Sequence, residues 1–242
     1  MTRPIDALAA AYGLAAPPPP APPRSFTVIV RTQGRRPGSL VEALDSIAAQ
    51  THPAVDTVVV VHGDEATEAM VRASVGEREA VTVTATTDPG RGAPLNAGLR
   101  AATGDYVCFL DDDDLAYPGW IGAVANAAID APGTIVRSVT ASQPWTTDGG
   151  EEPVRATGAI EHPFPEAFDL LSHMSVNLTP ICAVAYPRAD LAAHDLWFDE
   201  DLPVFEDWDL LMRAAMCLGV TSIPDVTTLY RRLDAGNADS AE

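Results

Sequence analysis

Basic side chains are scarce in this sequence of 242 residues, and long apolar runs are missing. Its 15 Lys and Arg residues stand against 34 Asp and Glu residues, which gives a formal net charge of −19. Proteins that bind nucleic acid or anionic lipid generally present a basic surface. The composition argues against both partners and leaves only some other peripheral membrane contact open. No segment approaches about 18 uninterrupted apolar residues, so no transmembrane helix is predicted.

Cysteine is also rare. Cys108, Cys182 and Cys217 lie inside apolar runs, and no pair has the Cys-x-x-Cys spacing of a zinc or redox site. This pattern predicts buried thiols in a reducing compartment, and hence a cytoplasmic protein without a disulfide framework. The apolar fraction of 47% is typical of a folded protein, and the length suits one large domain or two small ones.

Proline is concentrated near the N-terminus, where it fills residues 17–20, 22 and 23. Such a run favours polyproline II and cannot join a core. We therefore expect residues 1–24 to be a disordered tether and the folded domain to span residues 25–233. The small and polar residues 234–242 are expected to be disordered as well.

Strands and helices alternate in the first half of the domain. Apolar, β-branched segments predict strands at 26–30, 55–61, 81–85 and 105–110, and a further strand is predicted at 134–141. Helices are predicted from Pro37, over 65–75 and over 95–102. This order indicates right-handed βαβ units, an α/β fold and a parallel sheet. The polar loops 31–36, 62–64, 86–92 and 111–114 should then gather at one edge of that sheet.

Four consecutive carboxylates, Asp111 to Asp114, end the apolar strand at 105–110. A buried strand cannot carry four charges into a core, so the acids should lie at its carboxyl end, where open α/β sheets bind ligands. Neighbouring carboxylates raise each other's pKa unless a cation lies among them. From these residues alone, a cation site and a solvated acidic loop explain the pattern about equally well.

Three segments resemble family 2 glycosyltransferases with the GT-A fold. Residues 26–53 resemble the family's opening strand, turn and helix. Residues 96–99 with 104–114 resemble the segment that carries its Asp-x-Asp motif, and residues 198–210 are similar to its late acidic motif. The resemblance implies a Rossmann-like GT-A fold with a central, mostly parallel sheet flanked by helices and a smaller acceptor-side region. It divides the domain into a nucleotide-sugar-binding half, 25–115, and an acceptor half, 116–233.

The resemblance also implies a reaction. A sugar would pass from a nucleotide-diphosphate sugar to an acceptor hydroxyl with inversion, and Mn²⁺ or Mg²⁺ would assist the leaving group. Asp113 is implied as a direct metal ligand together with Asp111, and both Asp111 and Asp112 are implied in donor binding. Asp112 would hold the ribose or a metal-bound water. Asp114 could instead cap a helix that begins in the apolar run 115–121.

By the same resemblance, Asp207 is the general base that takes the proton of the acceptor hydroxyl. Glu206 is the fallback base or orients the acceptor. Acids in the first turn of a helix are also common because the helix dipole favours them there. Trp208 could stack on a sugar ring or lie in the core.

Donor contacts are further implied in the loops after the first three strands. Thr32, with Arg31 beside it, matches the position that contacts the nucleobase, and Arg91 could meet the diphosphate or the base, or be a surface arginine. His62 stands where the family usually has a base-reading Asp, with Asp64 two residues later. Leu233 stands where the family often has a metal-site His.

These departures keep a second function open, a non-catalytic sugar-nucleotide-binding or partner-binding module with the same fold. The acceptor, whether a carbohydrate, a lipid-linked molecule or another small molecule, and the oligomeric state are both left open by the sequence. Residues 143–152 are expected to form a hairpin or mobile loop, and 161–165 and 170–180 to cover the acceptor cleft.

Overall fold

The computed structural model describes residues 3–11 and 25–233. Nine strands of these residues pair into one sheet. In chain order they are β1 (Phe26–Thr32), β2 (Val55–His62), β3 (Val81–Thr86), β4 (Tyr106–Asp111), β5 (Leu115–Ala116), β6 (Ile135–Thr146), β7 (Arg155–Ala156), β8 (Val184–Pro187) and β9 (Val220–Leu233).

Eight α-helices lie between or before these strands within the described ranges. They are α1 (Pro4–Ala11), α2 (Pro37–Ala48), α3 (Glu65–Val75), α4 (Gly92–Ala101), α5 (Trp120–Asp130), α6 (Leu170–His173), α7 (Arg188–Ala193) and α8 (Glu206–Leu218). A short 3-10 helix, Ile181–Ala183, precedes β8.

The sheet has a parallel half and a mixed half. Strands β3, β2, β1 and β4 lie side by side in that order and run parallel. Strand β8 then runs antiparallel to both β4 and β6, while β9 is parallel to β6 and antiparallel to the short β5. The predicted βαβ order and mostly parallel sheet are confirmed.

Both faces of the central strands are covered, which explains their continuous apolar sequences. On one face, Val28 and Val30 of β1 pack with Leu40 of α2 and Ile121 of α5. On the other face, alternate residues of the same strands pack against the second set of helices, with Ile29 joining residues of α4 and α8. The result is three layers, with the helices enclosing the sheet.

Two strands run further than predicted. Arg31 and Thr32 belong to β1, because they still pair with Val60 and Val61 of β2, and Arg31 also pairs with Asp111 of β4. Likewise β6 continues to Thr146, because it pairs with β9 as far as Trp145 and Thr146 pairs with Arg155 of β7. Because β6 and β7 pair antiparallel, the hairpin alternative predicted for residues 143–152 is confirmed, and the alternative of a mobile loop is wrong for residues 143–146.

The expected tether differs from the structure over residues 4–11, which form α1. Arg3 pairs with Asp190 of α7 at 2.6 Å, and Pro4 lies beside Gly219 at the end of α8. These long-range contacts hold a segment whose own sequence gave little signal. The Pro-rich run and the tail 234–242 lie outside the described residues.

Within the described ranges, the structure contains no helix that is both long and apolar enough to cross a membrane.

Candidate functional site

The four polar loops at the carboxyl ends of the parallel strands are linked by contacts. The Arg31 side chain donates to the Arg91 carbonyl oxygen at 3.5 Å, which joins the end of β1 to the loop after β3. His62 Nε2 lies 3.0 Å from the Asp88 carbonyl oxygen, which joins the loops after β2 and β3. Arg31 lies directly opposite Asp111 in the β1–β4 register. The predicted convergence of these loops at one edge of the sheet is confirmed.

Arg31 bridges the two acidic motifs. Its Nε and Nη2 donate to the two oxygens of Asp111 at 2.8 and 3.1 Å, and its Nη1 lies 2.7 Å from Glu206 Oε1. Burial opposes the charged form of Arg31, but Asp111 and Glu206 outweigh it and raise the pKa of the guanidinium. Arg31 therefore fixes the start of α8 against the end of β4.

Glu206 is almost fully enclosed, with 2% of its side chain exposed. Arg91 Nε contacts both of its carboxylate oxygens at 2.9 and 3.1 Å, in addition to the contact from Arg31. Burial favours the neutral acid, yet the attraction of Arg31 and Arg91 prevails and lowers the pKa of Glu206. Glu206 is thus an ionised anchor whose oxygens are already occupied by arginines.

Asp207 has different surroundings from its neighbour. Among the described residues, the one hydrogen bond to its carboxylate comes from the Trp208 backbone N–H at 2.7 Å. Burial, followed by the negative charge of Glu206, raises the pKa of Asp207 to about 6. A carboxylate in this state can accept a proton near neutral pH.

Asp112 and Asp113 both lie close to the guanidinium of Arg36. Thr32 Oγ1 donates to Asp112 at 2.5 Å, and Arg36 Nη1 lies 3.3 Å from Asp112 and 2.9 Å from Asp113. Burial and the charge of Asp113 raise the pKa of Asp112 to about 7. Burial also raises the pKa of Asp113, although Arg36 opposes this effect. Arg36 stabilises the two carboxylates against their mutual repulsion.

Asp114 is not a helix cap, because the residues that follow it form β5 and the next helix begins only at Trp120. Its carboxylate accepts the backbone N–H of Arg231 at 2.9 Å, which joins the acidic run to β9. The Arg231 side chain donates to the Asp113 carbonyl oxygen and pairs with Glu42 at 2.7 Å. Burial and the neighbouring acids raise the pKa of Asp114.

Two residues expected at the nucleobase have local partners. Asp64 caps α3, where it accepts the backbone N–H and the hydroxyl of Thr67 at 2.9 and 2.7 Å. These hydrogen bonds lower the pKa of Asp64. His62 contacts the Asp88 carbonyl, as described above. Direct contacts bring Arg31, Thr32, Arg91, the acidic run and Glu206 together, whereas the hydrogen bonds of Asp64 go to Thr67.

Two members of the site, Arg36 and Arg231, are not among the residues predicted from the sequence. Arg36 lies in the polar turn after β1, so its place at the sheet edge was a usable signal. Arg231 reaches the site only through the pairing of β9 with β6 and β5, which no local pattern indicates.

The carboxylate oxygens of Asp111 and Asp113 suit a hard cation, but arginine side chains compete with a metal for these oxygens. Carboxylate oxygens are the ligands that Mg²⁺ and Mn²⁺ prefer, and Mg²⁺ often uses one or two of them together with substrate phosphates. Asp111 is engaged by Arg31 and Asp113 by Arg36. Within the described part of the chain, no three His, Cys, Asp or Glu side chains are grouped to hold a metal. A metal on Asp111 and Asp113 would thus need oxygens from another molecule.

The segment after Pro165 is tied to α8. Trp208 Nε1 donates to the His173 carbonyl at 2.8 Å, and the His173 ring contacts Thr179 at 2.7 Å. The buried guanidinium of Arg137 donates to Thr179 and to the Pro165 carbonyl. This segment therefore packs beside the residues that follow Asp207.

Sequence comparisons place this architecture in a known family. The model of glycosyl transferase family 2 matches residues 27–177, more than half of the chain. An uncharacterized glycosyltransferase of Bacillus subtilis, YwdF, is 27% identical over 218 residues, which cover 90% of this chain and 78% of that protein. A glucosyl-dolichyl phosphate glucuronosyltransferase of Haloferax volcanii is 32% identical over 109 residues, which cover 44% of this chain and 34% of that protein.

Solved structures share the fold. Staphylococcus aureus TarS 1–349 in complex with UDP-GlcNAc has a TM-score of 0.66 at 21% identity, over 90% of this chain and 61% of that one. The mannosyltransferase PcManGT of Pyrobaculum calidifontis, in complex with GDP-Man and Mn²⁺, has a TM-score of 0.58 at 24% identity, over 93% of this chain and 61% of that one. The chain spans about three fifths of either structure. It belongs to glycosyltransferase family 2 and is a glycosyltransferase with the GT-A fold.

Proposed function

We propose that this enzyme transfers a sugar from a nucleotide-diphosphate sugar to an acceptor hydroxyl with inversion, and that Asp207 is the general base. The observation that carries the proposal is the contrast between two adjacent acids. Glu206 is neutralised on both oxygens by Arg31 and Arg91, whereas Asp207 has one backbone hydrogen bond and a raised pKa of about 6. In this proposal Glu206 positions the helix, and Asp207 is the acid left to accept a proton.

In this mechanism Asp207 removes the proton of the acceptor hydroxyl as its oxygen attacks the anomeric carbon. The bond between that carbon and the diphosphate breaks on the opposite face, and the diphosphate leaves with the electron pair. The new glycosidic bond then has the inverted configuration.

The donor would lie along the carboxyl ends of β1 and β4. Thr32 and Asp112 are joined by a hydrogen bond at this edge and would face the nucleoside, while Arg31 and Arg91 would supply positive charge for the diphosphate. Asp113 and Asp111 would hold Mn²⁺ or Mg²⁺, which when bound neutralises the charge of the leaving diphosphate. The nucleotide-sugar complexes of the two structural neighbours support a donor of this class.

We assign donor binding to residues 25–115 and acceptor binding to residues 116–233. The three cysteines carry free thiols, two of them buried, which suits the reducing cytoplasm. His62 and Asp64 border the donor side and remain candidate contacts of the nucleobase.

The experiment is a thermal-shift and hydrolysis screen of UDP-, GDP- and dTDP-sugars, with and without Mn²⁺. A donor that binds the folded state raises the melting temperature. We expect one base to be preferred and that donor to be hydrolysed slowly. A donor that binds but is never hydrolysed, with or without Mn²⁺, would favour the non-catalytic binding module.

Asp207→Asn tests the role of the base. The amide cannot accept the proton, so transfer should fall by about 100-fold or more, the usual contribution of a general base. The thermal shift with donor should stay close to that of the wild type. Asp209→Asn, in the same helical turn but paired on the surface with Arg213, is the matched control. Transfer that survives in Asp207→Asn would exclude Asp207 as the base.

A further inference from the structure

The start of helix α2 is capped by a residue from a distant hairpin. Within this helix, which the structure describes in full, no side chain caps the first turn and no acid lies there. Glu152, in the hairpin between β6 and β7, supplies the acceptor. Its carboxylate accepts the N–H groups of Gly38 and Ser39 at 2.7 and 3.0 Å and the Ser39 hydroxyl at 2.6 Å. Because the unpaired N–H groups and the dipole of a helix start favour an anion, Glu152 fastens the hairpin to α2.

The same hairpin holds Arg36. The Glu151 carbonyl accepts Arg36 Nε at 3.1 Å. Arg36 Nη1 lies 2.9 Å from Asp113 and 3.3 Å from Asp112. One guanidinium thus joins the hairpin to two carboxylates of the acidic run. Glu151 and Glu152 together bind the short segment 36–39, so the position of the hairpin and the position of Arg36 depend on each other.

The hairpin itself is weakly built. Strand β7 has two residues, both exposed, which pair with the end of β6. The turn passes through Asp148 and Gly149, whose φ values of 47° and 88° are left-handed. Exposed segments with few backbone hydrogen bonds open at low free-energy cost. The contacts of Glu151 and Glu152 therefore contribute much of what keeps the tip of this hairpin closed against α2 and Arg36.

We propose that Glu152 is a positioning residue of an inhibitory latch. When the hairpin is closed, it holds Arg36 on Asp112 and Asp113 and opposes the binding of a divalent cation with a nucleoside diphosphate at Asp113. Binding of that cation and nucleotide in turn releases the hairpin. This inference rests on the proposed function, in which Asp113 holds the metal, and adds a regulation of that site.

The opposition follows from competition for one carboxylate. A cation at Asp113 must take an oxygen from Arg36, and the two positive charges repel each other. The hydrogen bond from Arg36 Nε to the Glu151 carbonyl stabilises the competing position of the guanidinium. By linkage, if closing the hairpin weakens metal binding, then metal binding must weaken the closed hairpin by the same factor.

The test compares Glu152→Ala with Glu151→Ala in the full chain. Both variants remove one acid from the tip of the hairpin, but Glu151→Ala keeps the backbone carbonyl that Arg36 contacts and the cap on α2. Hydrogen exchange of the Gly38 and Ser39 amides, followed by NMR, reports whether the hairpin is closed. Calorimetric titration with Mn²⁺ in the presence of UDP, GDP or dTDP reports the affinity. Melting temperatures report whether each variant is folded.

We expect faster exchange of both amides in Glu152→Ala than in the wild type or in Glu151→Ala. Glu152→Ala should also tighten Mn²⁺ binding with the preferred nucleotide by roughly two- to tenfold, the range that the net contribution of one hydrogen bond gives. A cap with a purely structural role would not produce tighter binding when it is lost. In the wild type, Mn²⁺ with that nucleotide should speed exchange of the same two amides.

The outcomes separate the latch from the proposed function. Faster exchange in Glu152→Ala with unchanged or weaker Mn²⁺ binding would make Glu152 a plain helix cap and overturn the latch. Equal tightening in Glu151→Ala would assign the effect to the lost charge alone and overturn it as well. If Mn²⁺ binds none of the variants with any of the three nucleotides, the donor site of the proposed function fails together with the latch.

Discussion

Glu206 and Asp207 are adjacent in the sequence and have opposite electrostatic surroundings. Arg31 and Arg91 keep Glu206 ionised, and its fixed negative charge then disfavours ionisation of Asp207. Burial contributes most to the raised pKa of Asp207, the ionised Glu206 adds to it, and Arg31 opposes both. The arrangement follows the general rule that a catalytic base is tuned by burial and by a nearby like charge.

Glu206→Gln tests this dependence through pH. Asp207 is active when deprotonated, so transfer in the wild type should fall as the pH drops through about 6. Removing the charge of Glu206 lowers the pKa of Asp207, so the acidic limb of the pH–rate profile should move to lower pH. The variant should also lose stability, on the order of 3 kcal/mol, because the largely buried Arg31 loses one of its two carboxylate partners.

Asp209→Asn serves as the control for this pH profile, because it removes an acid from the same turn that is half-exposed and paired with Arg213. The acidic limb of the pH–rate profile should move less in Asp209→Asn than in Glu206→Gln. A limb that stays in place in Glu206→Gln, or that moves to higher pH, would contradict the electrostatic coupling.

Arg36 and a divalent cation would compete for Asp113. Arg36 Nη1 is 2.9 Å from the Asp113 carboxylate and also contacts Asp112. Arg36→Ala should therefore tighten Mn²⁺ binding in the presence of a nucleoside diphosphate, by roughly tenfold if about 1.4 kcal/mol of competition is removed. Calorimetric titration with Mn²⁺ measures this change.

Two further variants serve as comparisons for Mn²⁺ binding by Arg36→Ala. Asp113→Asn should weaken Mn²⁺ binding, and Arg72→Ala, which removes a surface pair with Glu68, should leave it unchanged. If Mn²⁺ affinity is the same in Arg36→Ala, Asp113→Asn and the wild type, Asp113 does not hold the metal.

At the scale of elements, the connection from α4 to β4 has no room for a side chain at Gly104. A Cβ there would lie 2.5 Å from the Thr27 nitrogen and 2.7 Å from the Phe26 carbonyl carbon. The Gly104 N–H also donates to Thr27 Oγ1 at 2.8 Å. Gly104→Ala should push β4 away from β1 and cost about 2 kcal/mol of unfolding free energy, within the range for overpacking.

Gly119→Ala is the matched control for this prediction, since a Cβ at Gly119, just before α5, meets nothing within 4 Å. Denaturant unfolding should give nearly equal stability for Gly119→Ala and the wild type. If Gly104→Ala is as stable as the wild type, the backbone of this connection can move enough to accommodate a side chain.

Helices and strands could be predicted from the sequence where the local residue pattern determines them. Helix α3 lies at 65–75 as predicted, and the apolar runs of β1, β2 and β4 mark strands that are covered on both faces. Their ends could not be predicted, because Arg31 and Thr32 stay in β1 through pairing with neighbouring strands. The docking of α1 likewise depends on Asp190 and Gly219, far along the chain.

The acids of the site could be predicted by their position and by resemblance, but their counterions could not. Arg36 and Arg231 reach the acidic run through the turn after β1 and through the pairing of β9. Asp64 has a structural role that the predicted nucleobase contact did not include, because it caps α3. Tertiary contacts decide which of several similar side chains are available to a substrate.

At the scale of the whole molecule, the positive charge is sparse and locally concentrated. All 15 basic residues are arginine, against 34 acids. Four of them, Arg31, Arg36, Arg91 and Arg231, contact the acidic motifs at one edge of the sheet. An anionic donor would thus approach through a repulsive long-range field and bind in a site with local cations.

This charge distribution predicts an unusual response to salt. The Debye length falls from about 30 Å at 0.01 M to about 8 Å at 0.15 M ionic strength, so distant acids are screened more than direct contacts. Raising the ionic strength over that range should lower the KM for the nucleotide-sugar donor by roughly two- to fivefold through weaker repulsion. The KM for a neutral acceptor should change little and serves as the internal control. A donor KM that rises steadily with salt would mean that the arginines at the sheet edge, and not the surrounding acids, control the approach of the donor.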